Sequence, residues 1–266
     1  MRKRKGVLGS PEPPILDTIF KTTGTLKDIP MCPACNLAKQ LRRSTGSVTV
    51  QQVPENVGAI RRWATAPGEL ICCDQYVCGL PGRLPHTRGR ESQAERYHGG
   101  TIFVDAYSSK IFIRNQVSLR TGETLLGKAE FEAYAAQFNV KLKSFRCDNH
   151  PFSSQEFLDD LALKEQTVTY CGVGAHHMNG VAERAIRTLV HWTRAIMMNQ
   201  MLYWPEMFDE ANWGLAMEHA CWVWNNLPRE DSRLTPEELF TGLKLPNHDT
   251  INNLRVWGCP AWVLHP

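Results

Sequence analysis

The chain has 266 residues, 42% of them apolar and 21% charged. That balance excludes an intrinsically disordered chain, and the lack of any run of about 18 uncharged apolar residues excludes a transmembrane helix. The formal net charge of +3 hides an asymmetry: residues 1–62 hold eleven Lys or Arg against four Asp or Glu, a net +7, while the remainder holds 19 against 23, a net −4. Such a split fits a basic arm that meets nucleic acid, or a solvated tail. The basic start is followed by Pro11, Glu12, Pro13 and Pro14 instead of an apolar segment, so it does not read as a secretory signal. The nine cysteines, an odd number, read as reduced thiols and point to the nucleus or cytoplasm.

Residues 1–30 show no periodicity and read as an irregular basic segment. Cys32-Pro33-Ala34-Cys35 follows, then Lys39, Arg42 and Arg43, and residues 44–67 have the Ser, Thr, Val and Gln content of an extended linker. From about residue 68 the pattern becomes regular. Glu69 to Cys78 predicts a strand containing one Asp. Residues 79–98, rich in Gly, Pro, Arg and His, predict a long loop. Thr101 to Tyr107 and Lys110 to Val117 predict a hairpin. Glu123 to Phe138 has helical spacing, Val140 to Arg146 predicts a strand, and Ser154 to Glu165 predicts a helix with Ser154 as its N-cap. Thr167 to Cys171 predicts a fifth strand. A long helix is expected from about Val181 to Gln200, and Pro205 opens another that reaches roughly Asn225. The order β-β-β-α-β-α-β-α-α implies an α/β fold, a mixed sheet with helices on both faces.

Three acids stand out by position. Asp74 lies inside an apolar strand between Cys72, Cys73 and Tyr76, where an unpaired charge is costly. Asp148 lies just past a strand end, where loops carry chemistry. Glu183 lies in the first turn of the long helix, 35 positions after Asp148. Three carboxylates can hold two divalent cations, since hard cations prefer oxygen ligands. Such an ion pair can activate a nucleophile and stabilise the leaving oxygen of a phosphodiester. The structural alternative is that acids sit near strand ends and helix starts for ordinary reasons, a Glu in a first helical turn among them.

The words around these acids are more specific. Arg146-Cys147-Asp148-Asn149 with Glu156-Phe157, then Asn179-Gly180-Val181-Ala182-Glu183-Arg184 with Arg187-Thr188-Leu189, closely resemble the integrase core of copia-type retrotransposons, within the retroviral integrase superfamily. Phe103-Val104-Asp105-Ala106-Tyr107-Ser108 is similar to that core's second strand. Thr235-Pro236-Glu237-Glu238-Leu239-Phe240-Thr241-Gly242, with Leu254-Arg255-Val256-Trp257-Gly258-Cys259, is similar to the segment just after it. The likeness covers about residues 31–265. It implies a ribonuclease-H-like five-stranded mixed sheet, preceded by a partial zinc-module tail and linker at 31–67, with the catalytic core at 68–228 and a post-core segment at 229–266. The end of the sequence inside an apparent strand suggests a piece of a polyprotein.

The resemblance implies that Asp74, Asp148 and Glu183 are the catalytic triad and the ligands of two Mg2+ (or Mn2+) ions. Asp105 rivals Asp74 for the first place but falls on the second strand. The implied activity is DNA integration by a polynucleotidyl transferase, with 3′-end processing followed by strand transfer into target DNA. The implied partners are element ends, target DNA and further copies of the chain in a homo-oligomer, with no membrane. The alternatives are a metal-dependent nuclease of the same fold and a non-catalytic nucleic-acid-binding remnant. Arg187 and Arg194 fall within about 40° of Glu183 on the helix and, with Asn179 and His177, are candidate DNA contacts. Ala182, Ile186, Leu189, Thr193 and Met197 share another face and are assigned to the core.

Several features depart from the family pattern. Cys32 and Cys35 supply two of the four ligands that a structural Zn2+ needs, and residues 1–31 hold no histidine, so the module reads as truncated. His176 and His177 replace the family's Pro and Gln; they would touch phosphate or stand as exposed imidazoles. His150-Pro151 stiffens the turn after Asp148. Arg83, Arg88, Arg90 and Arg96, with His86 and His98, would grip phosphates or belong to a solvated insertion. Gly122 to Ala129 nearly spells a phosphate-binding loop, but Ala129 stands where Ser or Thr is required and the segment merges into a helix. Trp192, Trp204, Trp213, Trp222, Trp224 and Trp257 are expected in core packing rather than base stacking, and Cys72, Cys73, Cys147 and Cys171 as small strand residues in the core.

Overall fold

The computed structural model describes residues 32–39, 64–85, 96–148, 151–170, 179–229, 232–244 and 254–260. The expectations for residues 1–30, Arg42, Arg43, residues 44–63 of the 44–67 linker, His86, Arg88, Arg90, His150, Cys171, His176 and His177 lie outside the described residues.

The described elements are α1 (Pro33–Ala38), β1 (Ile71–Gly82), β2 (Tyr97–Asp105), β3 (Ile111–Gln116), α2 (Thr121–Ala136), β4 (Ser144–Cys147), α3 (Gln155–Leu163), β5 (Thr167–Tyr170), α4 (Gly180–Tyr203), α5 (Trp213–Asn226) and α6 (Pro236–Thr241). The five strands form one sheet in the order β3-β2-β1-β4-β5. β1 and β2 pair antiparallel, as do β2 and β3, while β4 runs parallel to both β1 and β5. This is the ribonuclease-H-like sheet implied by the sequence.

Residues alternate across each strand, so the sheet buries a core on each face. One holds Ile71, Cys73, Phe103, Phe131, Phe145 and Phe157. The other holds Cys72, Tyr76, Ile102, Val104, Leu189 and Met217. Helices α2 and α3 cover the first face, and α4 and α5 the second. Ser154 caps α3 by accepting from the Phe157 N–H, and Ala182, Leu189 and Thr193 line the buried side of α4 as expected.

Four elements differ from expectation. β4 begins at Ser144, not Val140. Asn139 takes a left-handed φ of 57° and the Val140 N–H closes back onto the Ala135 carbonyl. Val140 is thereby turned back onto the end of α2, while Lys143 bonds the backbones of Gly68 and Thr167; Leu142 is buried without pairing in the sheet. The strand from Ile71 runs on to Gly82, and Tyr97 pairs with Gly82 beyond an irregularity in the register, so part of the expected 79–98 loop is hairpin. Its root is fixed: Arg83 forms an ion pair with Asp209 at 2.9 Å, and the Trp213 indole donates to the Leu80 carbonyl at 2.8 Å. Pro205 opens a 3-10 turn rather than a long helix. Asp209 then adopts an extended conformation and caps a second 3-10 turn through the Ala211 N–H, so α5 begins only at Trp213.

The fourth correction concerns the boundary at 228, because α6 packs into the core. A capping box between Thr235 and Glu238 builds this short helix. Phe240, 1% exposed, stacks on Phe131 at 5.6 Å between ring centroids, and Glu237 meets Lys110 and the Tyr134 hydroxyl.

The near phosphate-binding loop is helical, and its Lys128 is completely buried. Lys128 Nζ lies 2.5 Å from Glu132, 2.6 Å from Asp160 and 2.6 Å from the Gln166 amide oxygen, joining α2, α3 and the approach to β5. Burial pushes the Glu132 and Asp160 carboxyls up, but hydrogen bonds from Lys128 and Lys164 outweigh it, and both groups end below their ordinary values. A carboxylate whose folded pKa is depressed contributes stability above its unfolded pKa and loses it as pH falls through the folded value. Stability should therefore fall below about pH 4–5. Lys128→Met should lower stability at neutral pH, since Glu132 and Asp160 keep only Lys164 of their two lysine partners, and flatten that acid limb. Unfolding midpoints measured against pH check this; an unchanged acid limb contradicts it.

Among the tryptophans, Trp204 and Trp213 are buried, and Trp192 and Trp224 pack against the second core. Trp222 departs from expectation: it is 36% exposed and stacks on His219. Cys72, Cys73 and Cys147 are core residues.

Candidate active site

Asp74 sits on β1 opposite Ile102 of β2. Its strand neighbours on the same face are Cys72 and Tyr76, both in the core beneath α4 and α5. It is half-buried, and its Oδ1 accepts from the Gln75 N–H at 2.8 Å. Asp148 is the first residue after β4. Cys73 and Cys147 are register partners on the parallel strands, and both point into the first core. One step further along each strand, alternation turns Asp74 and Asp148 to the opposite face, on backbones about 4.8 Å apart. The parallel pairing of β1 and β4 therefore sets the backbone at these two positions side by side.

Glu183 lies on α4, whose start is bonded to the same part of the sheet. Gly180 opens that helix and Glu183 lies in its first turn, where a negative charge is favoured by the helix dipole. The start of α4 is held to the sheet: Asn179 Nδ2 donates to the Cys73 carbonyl at 2.9 Å, and Ala182 is fully buried. The three acids thus stand on three elements that meet beside Cys73. Their oxygen donors suit a hard cation in chemistry. Among the described residues, however, no three His, Cys, Asp or Glu side chains are gathered closely enough to hold a metal ion.

Asp105 is employed elsewhere. It is fully buried at the end of β2, paired in register with Ile71, three residues before Asp74. Its carboxylate accepts from the Gly68 N–H at 2.8 Å and from the Ser108 N–H and hydroxyl at 2.7 Å each. Burial pushes its carboxyl up, opposed by these bonds. It ties the segment before β1 to the β2–β3 turn.

Arg187 is exposed on α4, and Arg194 is half-buried. Asn179 is corrected: at 2% exposure, with its amide nitrogen bonded to β1, it is a link between α4 and the sheet rather than a surface contact for DNA. An Asn before a helix reads in sequence as an N-cap, so nothing local signals a bond to a carbonyl 106 positions away. Arg83 is likewise engaged within the protein. At the short helix α1, Cys32 Sγ accepts from the Cys35 N–H at 3.3 Å, and burial pushes the Cys35 thiol up.

No family model matches the chain. A retrovirus-related Pol polyprotein from transposon TNT 1-94 of Nicotiana tabacum is 32% identical over 132 residues, 47% of this chain. The match spans 9% of that polyprotein's length. Among solved structures, a chain of the simian T-cell lymphotropic virus intasome in complex with the PP2A regulatory subunit B56 gamma matches with a TM-score of 0.50 at 16% identity, covering 70% of this chain and 58% of that one. The HTLV-2 integrase catalytic core domain in complex with magnesium matches with a TM-score of 0.45 at 16% identity, covering 66% of this chain and 98% of that one. The intasome likeness is one of fold.

Proposed function

We propose that this chain, integrase-like in sequence and in fold, is a polynucleotidyl transferase that trims the 3′ ends of a retroelement DNA and joins them to target DNA. The observation that supports this reading is that β1, β4 and the start of α4 come together at Cys73, each element carrying or leading into one of the three acids. Asp74, Asp148 and Glu183 would hold two Mg2+ or Mn2+ ions. Bound there, such ions supply charge neutralisation at the scissile phosphate and lower the pKa of an attacking water. Arg187, exposed one turn after Glu183, would contact a DNA phosphate and orient the strand; Arg194 would extend that contact along α4. The protein's share of catalysis is positioning and charge compensation. The implied homo-oligomer belongs to the same proposal. No helix among the described residues is long and apolar enough to cross a membrane.

A second reading, a nucleic-acid-binding protein without catalysis, is favoured by the lack of a gathered three-carboxylate cluster among the described residues. One experiment separates the readings. The protein is incubated with donor-end and target DNA, with Mg2+ or with chelator. Joined product that disappears with chelator is expected. Cleavage without joining indicates a nuclease, and binding without either reaction indicates the non-catalytic reading.

A further inference from the structure

We propose that Asn179 is a positioning residue for Glu183: its side-chain amide fixes the start of α4 on β1 and so sets the separation of the Glu183 and Asp74 carboxylates. The inference rests on reading Asp74, Asp148 and Glu183 as one metal-binding set.

Asn is favoured before a helix because its side-chain oxygen accepts from the N–H groups of the first turn. Here Asn179 occupies the N-cap position and makes no such bond. Its Nδ2 crosses to the Cys73 carbonyl at 2.9 Å, and the residue after Cys73 is Asp74. Cys73 is also the last residue of β1 in register with β4. Asn179 therefore joins α4 to the point where the sheet presents Asp74 and Asp148. Its Oδ1 is buried with no hydrogen-bond partner among the described residues. An amide that leaves its acceptor buried and unused is costly, and a residue serving only to cap a helix would turn that oxygen to the helix N–H groups. Glu183 is four residues on, one turn along the same side of the helix. Ala182, between them, is fully buried, so the first turn is seated and a displacement at Asn179 passes to Glu183. Groups that orient metal ligands in this way typically change affinity by about 10–100-fold when removed.

The test is Mn2+ binding to the full chain without DNA, followed by electron paramagnetic resonance, with thermal unfolding recorded in parallel. Asn179→Ala should weaken Mn2+ binding about tenfold or more. In a Glu183→Gln background the same substitution should change the affinity less than about twofold, because its effect passes through Glu183. Asn179→Gln, a methylene longer with the amide retained, serves if the alanine variant does not fold, and should also weaken binding. Wild-type affinity in a folded Asn179 variant, with only the unfolding midpoint lowered, overturns the proposal and leaves a structural link. An equal loss in the Glu183→Gln background overturns the route through Glu183. Failure of the metal-site reading is separate: it shows as no saturable Mn2+ binding by the wild-type chain, or as undiminished binding by Asp148→Asn, and it removes this proposal as well.

Discussion

Asp148→Asn is expected to reduce metal-dependent strand joining by at least about 10³-fold, about 4 kcal/mol of barrier, with the unfolding midpoint nearly unchanged. The substitution keeps the shape of the side chain and removes the anionic oxygen that a hard cation requires. Asp148 lies after the last paired residue of β4, and the isosteric change keeps the volume of the side chain, so little loss of stability is expected. Joining assays over a Mg2+ series, with thermal unfolding of the same preparation, check both halves. Full activity in the folded variant would remove Asp148 from the site.

Phe131→Ala carries the largest expected loss of stability, about 3–5 kcal/mol. Phe131 is fully buried in the first core. Its ring lies 6.0 Å from Phe103, 5.0 Å from Phe112 and 5.6 Å from Phe240, so a single truncation opens a cavity between β2, β3, α2 and α6. Equilibrium unfolding in urea measures the loss. A change below about 1 kcal/mol would mean that the site collapses without penalty and that the aromatic stack is not the centre of the core. Phe240→Ala probes the same stack from α6 and should also destabilise, since that helix is docked on the core.

Much of the fold was legible in the sequence because the sheet's two faces impose strict alternation. Ile71 and Cys73 face one way, Cys72 and Tyr76 the other, and Asp74 stands out against that pattern. Where pairing or packing depends on distant partners, local pattern misled. Val140 and Leu142 alternate like a strand, yet the left-handed turn at Asn139 brings Val140 back onto α2 and the strand begins only at Ser144. Pro205 is a sound helix starter, but Asp209 four residues later resets the chain by capping its own short turn. Phe240 looked like part of a following segment because nothing near it in sequence reveals Phe131 as its neighbour. The same holds at the site. Asp74 and Asp148 stand out by setting, and the parallel register of Cys73 with Cys147 shows that the two strands run side by side up to the residue before each. Asn179 was legible as a helix start but not as the link to β1, which only the tertiary arrangement creates.

Anomalous diffraction from crystals of the full chain grown with Mn2+ tests the proposed site most directly. Manganese peaks within coordination distance of the Asp74 and Asp148 carboxylates, with Glu183 turned toward the same ions and the peaks lost in Asp148→Asn, are the predicted result. Ordered manganese bound only elsewhere, or none at these acids at saturating concentration, would contradict a metal-dependent phosphodiester chemistry centred on them.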